Sequence, residues 1–419
     1  MTDPEVARRV AEVAQGSHAR LLASLAASTR DIAAAEDAFS DAIEVALRTW
    51  THDDIPRNPE AWLYTVARNR LRDRFRSAAF RTSVALDENL GDTRAMTENP
   101  EPSTEPAFVE DKRLELMFVC AHPAIDQTIR TPLMLQVVLG LDAKQIAEAF
   151  AIPSSTMSQR LVRAKRRIRD AGIAFTIPAP DAVPARLDAV LECVYGAFSI
   201  DWRGVAGVTE RDSLSGEALY LARTLTELLP DNPEVLGLNA LIALSAARAP
   251  ARVVDDVLVP VHLQDPHCWD EDLIVEGEKL LSRAHDSGRP GRFQLEAAIQ
   301  SVHCDRRRTG RTDWAALEML YRALLEVAPT LGAAVSLAVV MGESHGPSTG
   351  LAYLDSLEVA GVDRFQPTWA ARAHLLAGDG RRDDAIEAYR RAADLATDPP
   401  MRRFLERAGR SLMETGRDE

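Results

Sequence analysis

The chain has 419 residues, a net charge of −14 and 46% hydrophobic residues, enough apolar material for two or three folded cores. It contains no run of 18 apolar residues, and its N-terminal MTDPEVARRVAEV lacks a signal-peptide core, which argues against a membrane span and for a cytoplasmic protein. The charge is uneven: residues 117–175 carry 8 basic against 4 acidic side chains, whereas residues 176–419 carry 26 against 38. Basic charge concentrates at 68–81 and 160–169, the local pattern of a nucleic-acid binder, while the acidic remainder would be repelled by DNA and suits a protein partner.

In chain order, almost every periodic segment is helical and alternating strand patterns are absent, so an all-α fold is expected. Ile32, Ala35, Phe39, Ile43, Ala46 and Leu47 mark one buried helix face, and Glu36, Asp37, Ser40, Asp41 and Glu44 stand on the other. An acidic helix face is ordinarily just solvated, but it also suits a basic protein partner. The next segment, THDDIPRNPEAWLYTVARNRLRDRFR, has a proline-rich loop at 55–59 and then a helix with Trp62, Leu63, Val66 and Ala67 inward. Arg68, Arg72 and Arg76 lie four residues apart on one face, with Arg70 and Arg74 beside them. Aromatic residues interleaved with arginines suit single-stranded DNA, where bases stack and phosphates pair. Trp62 itself reads better as a core or rim residue.

Residues 83–108, SVALDENLGDTRAMTENPEPSTEPAF, are acidic, proline-bearing and aperiodic, the composition of a flexible linker. Residues 142–169, DAKQIAEAFAIPSSTMSQRLVRAKRRIR, scan as two short helices joined by a tight turn, the outline of a helix-turn-helix. Asp142 is placed to cap the first helix, and Ala143, Ile146, Ala147 and Phe150 give it an apolar face. Ala151-Ile152-Pro153 interrupts the run, because the residue before a proline is biased away from helix and proline suits a helix start. Met157, Leu161, Ala164 and Ile168 then form the inner stripe of the second helix, leaving Ser158, Gln159, Val162, Arg163 and Arg166 outward. Arginine pairs bidentately with guanine, glutamine with adenine, and serine reaches a base or a phosphate. Lys165, Arg166, Arg167 and Arg169 would hold backbone phosphates without reading sequence. Read without function, the same segment is a solvated basic helix packed by its apolar stripe.

A second break falls at 174–184, where Pro178, Pro180 and Pro184 punctuate the chain. The expected domains are therefore 1–82, a linker at 83–110, 111–175 and 185–419. In the last of these, YLARTLTELLPDNPEVLGLNALIAL sets small and apolar residues at helical spacing around a turn. Near its end, Ala370, Ala373, Gly380, Ala385, Tyr389 and Ala392, followed by Pro399, fit a tetratricopeptide-like helical hairpin. Cys120, Cys193, Cys268 and Cys304 form no CxxC pair and read as reduced, mostly buried thiols; the His267-Cys268 and His303-Cys304 dipeptides read as ordinary packing, so no metal and no cofactor is expected.

The order of these parts, AAAEDAFSDAIEVALRTW, then NPEAWLYTVARNRLRDRFR, an acidic linker and the helix-turn-helix, resembles an extracytoplasmic-function sigma factor of bacterial RNA polymerase, over about residues 18–170. The resemblance implies that Glu36, Asp37, Ser40 and Asp41 bind the clamp coiled coil of the β′ subunit of core polymerase, with the β flap as a further polymerase contact. It implies that Arg57, Asn58, Arg68, Asn69, Arg72 and Arg76 melt and read the −10 element of promoter DNA. Thr156, Ser158, Gln159, Arg160, Val162, Arg163 and Arg166 would read the −35 element in the major groove. Sigma factors with a long tetratricopeptide-like C-terminal extension form a recognised group, which the stretches HPAIDQ, AKRRIRDAGIAF and DPHCWDEDLIVEGEKLL also resemble. There the extension is thought to regulate the factor in place of a separate anti-sigma protein, and it leaves room for a regulatory protein partner.

Two other classes compete with a sigma factor. A one-component helix-turn-helix regulator with a helical sensor domain would leave the acidic face at 36–44 and the arginine helix idle. An enzyme in residues 185–419 would need a glycine-rich phosphate loop, a nucleophile elbow or metal-ligand spacing, and none is found there.

Overall fold

The computed structural model describes residues 4–52, 54–84, 111–150, 152–203, 214–286, 288, 290–359 and 361–415. The expected linker at 83–110 lies, apart from its first two residues, outside the described residues. The chain divides into two compact units, Met1–Ala197 and Phe198–Glu419.

The first unit begins with α1 (Pro4–Thr29), α2 (Ile32–Thr49) and α3 (Pro59–Val84), which pack on one another. Arg30 closes α1 in the left-handed region at φ 58°, and Asp31 caps α2 by accepting a 3.1 Å hydrogen bond from Ala34 N. Leu21, Leu22, Leu25, Ile32, Phe39, Leu63 and Leu71 fill the centre. Of the apolar face expected on α2, Ile32, Ala35, Phe39 and Ala46 are buried, while Ile43 and Leu47 sit half-buried at its edge.

Then come α4 (Arg113–Cys120), α5 (Gln127–Val137), α6 (Ala143–Ala149) and α7 (Ser154–Asp170). The last two are the expected helix-turn-helix. Asp142 does cap α6, through Lys144 N and Gln145 N at 2.8 Å each, and Gln145 Oε1 returns the favour by accepting from Asp142 N at 2.9 Å. This is a full capping box, which satisfies backbone donors at both ends of the pair. Met157, Leu161, Ala164 and Ile168 are all buried, as their spacing requires. The next helix, α8 (Pro184–Arg203), is divided by the unit boundary at Ala197. Its Arg186 donates to the carbonyl of Phe118 in α4 at 3.2 Å. The first unit thus extends past residue 185, where the spacing of prolines sets the start of a third domain.

The second unit contains α9 (Leu214–Leu228), α10 (Pro233–Ala246), a two-stranded antiparallel hairpin of β1 (Val253–Val254) and β2 (Val257–Leu258), then α11 (Glu271–His285), α12 (Arg292–Cys304), α13 (Arg306–Thr309), α14 (Trp314–Val327), α15 (Leu331–His345), α16 (Pro347–Asp355), α17 (Gln366–Gly378), α18 (Arg382–Leu395) and α19 (Pro399–Thr415). Successive helices pack as hairpins, the repeat logic expected from the sequence. Helix α10 is buried on all sides from Val235 to Ser245 and is flanked by α9, α11 and α12. Its Glu234 carboxylate accepts from Phe293 N at 3.0 Å and Gln294 N at 3.3 Å, capping α12 from a neighbouring helix. At the turn between α17 and α18, Gly380 takes φ 76°, and Ala373, Ala385, Tyr389 and Ala392 are buried between the pair. The hairpin of β1 and β2 departs from the purely helical expectation. Its turn is Asp255-Asp256, both at positive φ (50° and 61°), the geometry of a type I′ turn.

Candidate nucleic-acid interface

The arginine helix α3 starts from Asn58, whose side chain accepts from Ala61 N at 3.0 Å. Asn58 therefore has a local capping task beside the role the resemblance implies for it. Leu63 and Ala67 are buried, and Trp62 packs edge-to-face on Trp50 with ring centroids 5.3 Å apart, which makes it a rim residue. Arg57, Asn58, Arg68, Arg72 and Arg76 are exposed and Asn69 is half-buried. The Arg68 guanidinium lies 5.8 Å from the Tyr64 ring centroid. Arg74, beside that row, donates to Asp37 of α2 at 2.7 Å. This pair joins the acidic face to the arginine helix and holds the Arg74 guanidinium firmly charged, its pKa raised by the hydrogen bond to Asp37.

On α2, Asp37, Ser40 and Asp41 are exposed and Glu36 is half-buried. Ser40 Oγ donates back to the Glu36 carbonyl at 2.9 Å, within the helix. On α7, Gln159, Arg160, Val162, Arg163 and Arg166 are exposed, with Thr156 and Ser158 half-buried. Among the described residues Arg160 and Arg163 make no ion pair, whereas Arg166 approaches Asp170 at 3.4 Å. The outward face is thus as cationic as its spacing requires, although the Ser158 hydroxyl donates to the Ser154 carbonyl at 3.0 Å within the helix.

Lys165 departs from the expectation that it holds a phosphate. It is buried, and its Nζ lies 2.5 Å from Glu36 Oε1, 129 residues away. Arg169 reaches Asp31 at 3.7 Å. Between α2 and α7 runs a cleft of about 340 Å³ lined by Asp31, Ala33, Glu36, Val162, Lys165, Arg166 and Arg169. Beside it, His18 of α1 is half-buried, edge-on to Phe39 with ring centroids 5.4 Å apart, and its Nδ1 has no hydrogen-bond partner among the described residues. Burial, and then the neighbouring Lys165 charge, hold its pKa below the ordinary histidine value, so this imidazole is neutral near pH 7.

In the second unit, Cys304 is buried and Cys268 exposed, and Cys120 and Cys193 of the first unit are buried; all four are free thiols. Burial pushes the Cys304 thiol up to about 11. His303 is held down to about 3 by burial and by the Arg248 and Arg306 charges. Among the described residues no group of three or more His, Cys, Asp or Glu side chains is placed to hold a metal ion. Nor is any described helix long and apolar enough to cross a membrane.

A family model for sigma-70 region 2 matches residues 16–81, and a family of unknown function (DUF6596) matches residues 186–285. A Rhizobium meliloti (strain 1021) protein described as uncharacterized protein R00370 is 35% identical over 376 residues, 88% of this chain and 87% of that protein. The ECF RNA polymerase sigma factor SigL of Mycobacterium tuberculosis (strain ATCC 25618 / H37Rv) is 33% identical over 145 residues, 34% of this chain and 76% of SigL. The probable RNA polymerase sigma factor RfaY of Xanthomonas campestris pv. campestris is 29% identical over 147 residues, 34% of this chain and 35% of that protein. No solved structure matches this chain. A three-helix region 2 followed by a helix-turn-helix is the architecture of a sigma-70 family protein. The chain belongs to that family, as an ECF-type sigma factor with a helical C-terminal extension.

Proposed function

We propose that this chain is an alternative sigma factor that directs core RNA polymerase to specific promoters and is regulated by its C-terminal helical unit. In this reading Glu36, Asp37, Ser40 and Asp41 meet the polymerase clamp. Arg57, Asn58, Arg68, Asn69, Arg72 and Arg76 engage the −10 element, and Thr156, Ser158, Gln159, Arg160, Val162, Arg163 and Arg166 the −35 element. The observation that carries it is the exposed Gln159, Arg160 and Arg163 row on α7, without an ion pair among the described residues, in a chain whose preceding helices match sigma-70 region 2. Arginine and glutamine in one exposed row supply base readout, and the flanking arginines supply phosphate contacts that carry no sequence information. The acidic C-terminal unit supports the regulatory half of the reading, because 25 basic against 35 acidic side chains over residues 198–419 disfavour DNA and suit a protein surface.

Run-off transcription with core enzyme tests this. Transcripts should start at a cognate promoter only when both the chain and the core are present. DNA binding that persists without polymerase, with no transcript from any cognate promoter, would instead indicate a one-component regulator.

A further inference from the structure

Arg248, two residues past the end of α10, is only 7% exposed and meets no carboxylate among the described residues. Its Nε donates to the Leu244 carbonyl at 3.4 Å and one Nη to Gln300 Oε1 of α12, while the other Nη has no hydrogen-bond partner among the described residues. A guanidinium presents five donors in a fixed fork, and a cation withdrawn from water is costly unless an anion answers it.

Further groups converge on the same place. His303 stands three residues after Gln300 on α12, half-buried, and its ring makes no hydrogen bond among the described residues. It lies within reach of the charges of Arg248, Arg306 and His262. Arg306 of α13 directs its guanidinium at the Val261 and Gln264 carbonyls, 5.2 Å from the Trp269 ring centroid. It too forms no ion pair among the described residues; Asp265, whose charge reaches it, accepts from His267 N at 2.9 Å. His262, in the loop between β2 and α11, is exposed, so the cluster reaches solvent there. Its ring centroid is 6.0 Å from that of His374, whose Nε2 is 2.7 Å from Glu343 Oε1. Glu343 is thus engaged by an imidazole and leaves both guanidinium charges uncompensated.

Two such cations beside three imidazoles, inside an acidic unit, suit a doubly charged oxyanion. A single carboxylate would answer one of them, whereas a phosphate monoester carries about −1.5 to −2 at neutral pH and offers several oxygens to a guanidinium fork. Arg248 is too deeply buried to touch the backbone of a duplex, so the phosphate belongs to a small molecule.

We infer that Arg248, His303 and Arg306 form a binding site for the phosphate group of a small molecule, entered past His262. Arg248 supplies the forked contact and His303 one N–H. Arg306, held by two carbonyls, acts through its charge. The site does not depend on what the first unit binds.

Calorimetric titration of the full chain with inorganic phosphate, at an ionic strength fixed by sodium chloride, tests this. One saturable site per chain is expected, and phosphate should raise the melting temperature, since it binds the folded chain. Arg248→Gln should weaken binding about tenfold to a hundredfold, the worth of a charge-assisted hydrogen bond. Arg248→Lys, which keeps the charge and loses the fork, should fall between the two. Melting curves without phosphate check that each variant folds. His303→Leu, at a half-buried position, carries the same test should Arg248→Gln fail to fold, and should weaken binding about fivefold. Heats no different from those of added chloride overturn the site, as does phosphate binding that the folded variants leave unchanged. Succinate, whose two charges stand on separate carboxylates, should bind more weakly; tighter binding of succinate than of phosphate overturns the ligand class.

Discussion

Side chain by side chain, the helix-turn-helix was the most legible part of the chain. Four apolar residues at steps of four, three and four predict the buried stripe of α7, and Met157, Leu161, Ala164 and Ile168 occupy it. Asp142 announced its cap. Gln145, three residues on, supplies the reciprocal half of the box, and the D-x-x-Q spacing carries that signal. Lys165 is buried where its charge alone suggests solvent, and the reason is physical. It follows Leu161 by four residues and so belongs to the inner stripe, but a lysine is read as solvent-facing unless a partner is known. Its partner, Glu36, is 129 residues away and no local pattern reveals it. Arg163, by contrast, is exposed and unpaired among the described residues. Arg163→Ala should therefore leave the fold intact while costing about 1–3 kcal/mol of promoter affinity, concentrated at one base position. Holoenzyme binding to a set of singly substituted −35 sequences would check this; equal loss on every sequence would reduce Arg163 to a phosphate contact.

Among the elements, helices were readable from period and breaks because each buries one stripe and ends at a proline, glycine or capping residue. The β1–β2 hairpin was not, since strands of two residues are too short to alternate and Asp-Asp is a weak turn signal beside Asn-Gly. Which helices approach most closely was also hidden. At Gly350 of α16 a methyl group would stand 2.5 Å from the Ala338 carbonyl oxygen and 2.9 Å from Leu375, so α15, α16 and α17 meet there without room for a side chain. At Gly16 of α1 the same methyl group would meet nothing within 4 Å. One substitution should thus act with opposite signs. Gly350→Ala should destabilise by about 1–2 kcal/mol, overpacking outweighing the gain in helix propensity. Gly16→Ala should stabilise by about 0.5–1 kcal/mol. Chemical denaturation of the full chain measures both, and a stabilising Gly350→Ala would mean the helices are looser than described.

For the whole molecule, composition located the acidic C-terminal region but misjudged where the first unit stops. The proline cluster at 178–184 looked like a boundary, yet the chain continues into α8, whose Val190, Leu191, Cys193 and Val194 are buried and whose Arg186 holds the end of α4. Prolines start helices as readily as they end domains, and only the packing partner distinguishes the two cases. A chain ending at residue 175 should accordingly melt well below one ending at residue 203, since burying each of Val190, Leu191 and Val194 contributes about 1.5–3 kcal/mol. Equal melting temperatures would detach α8 from the first unit. The longer of the two truncations is then the proper one for asking how loss of the C-terminal helices changes transcription.

The carboxylate of Glu234 ties two helices into one opening unit. It belongs to α10 but holds the first backbone donors of α12, so the pair cannot part without leaving Phe293 N and Gln294 N bare. Amide protons at the start of α12 should therefore exchange with solvent together with those of α10, as one cooperative event.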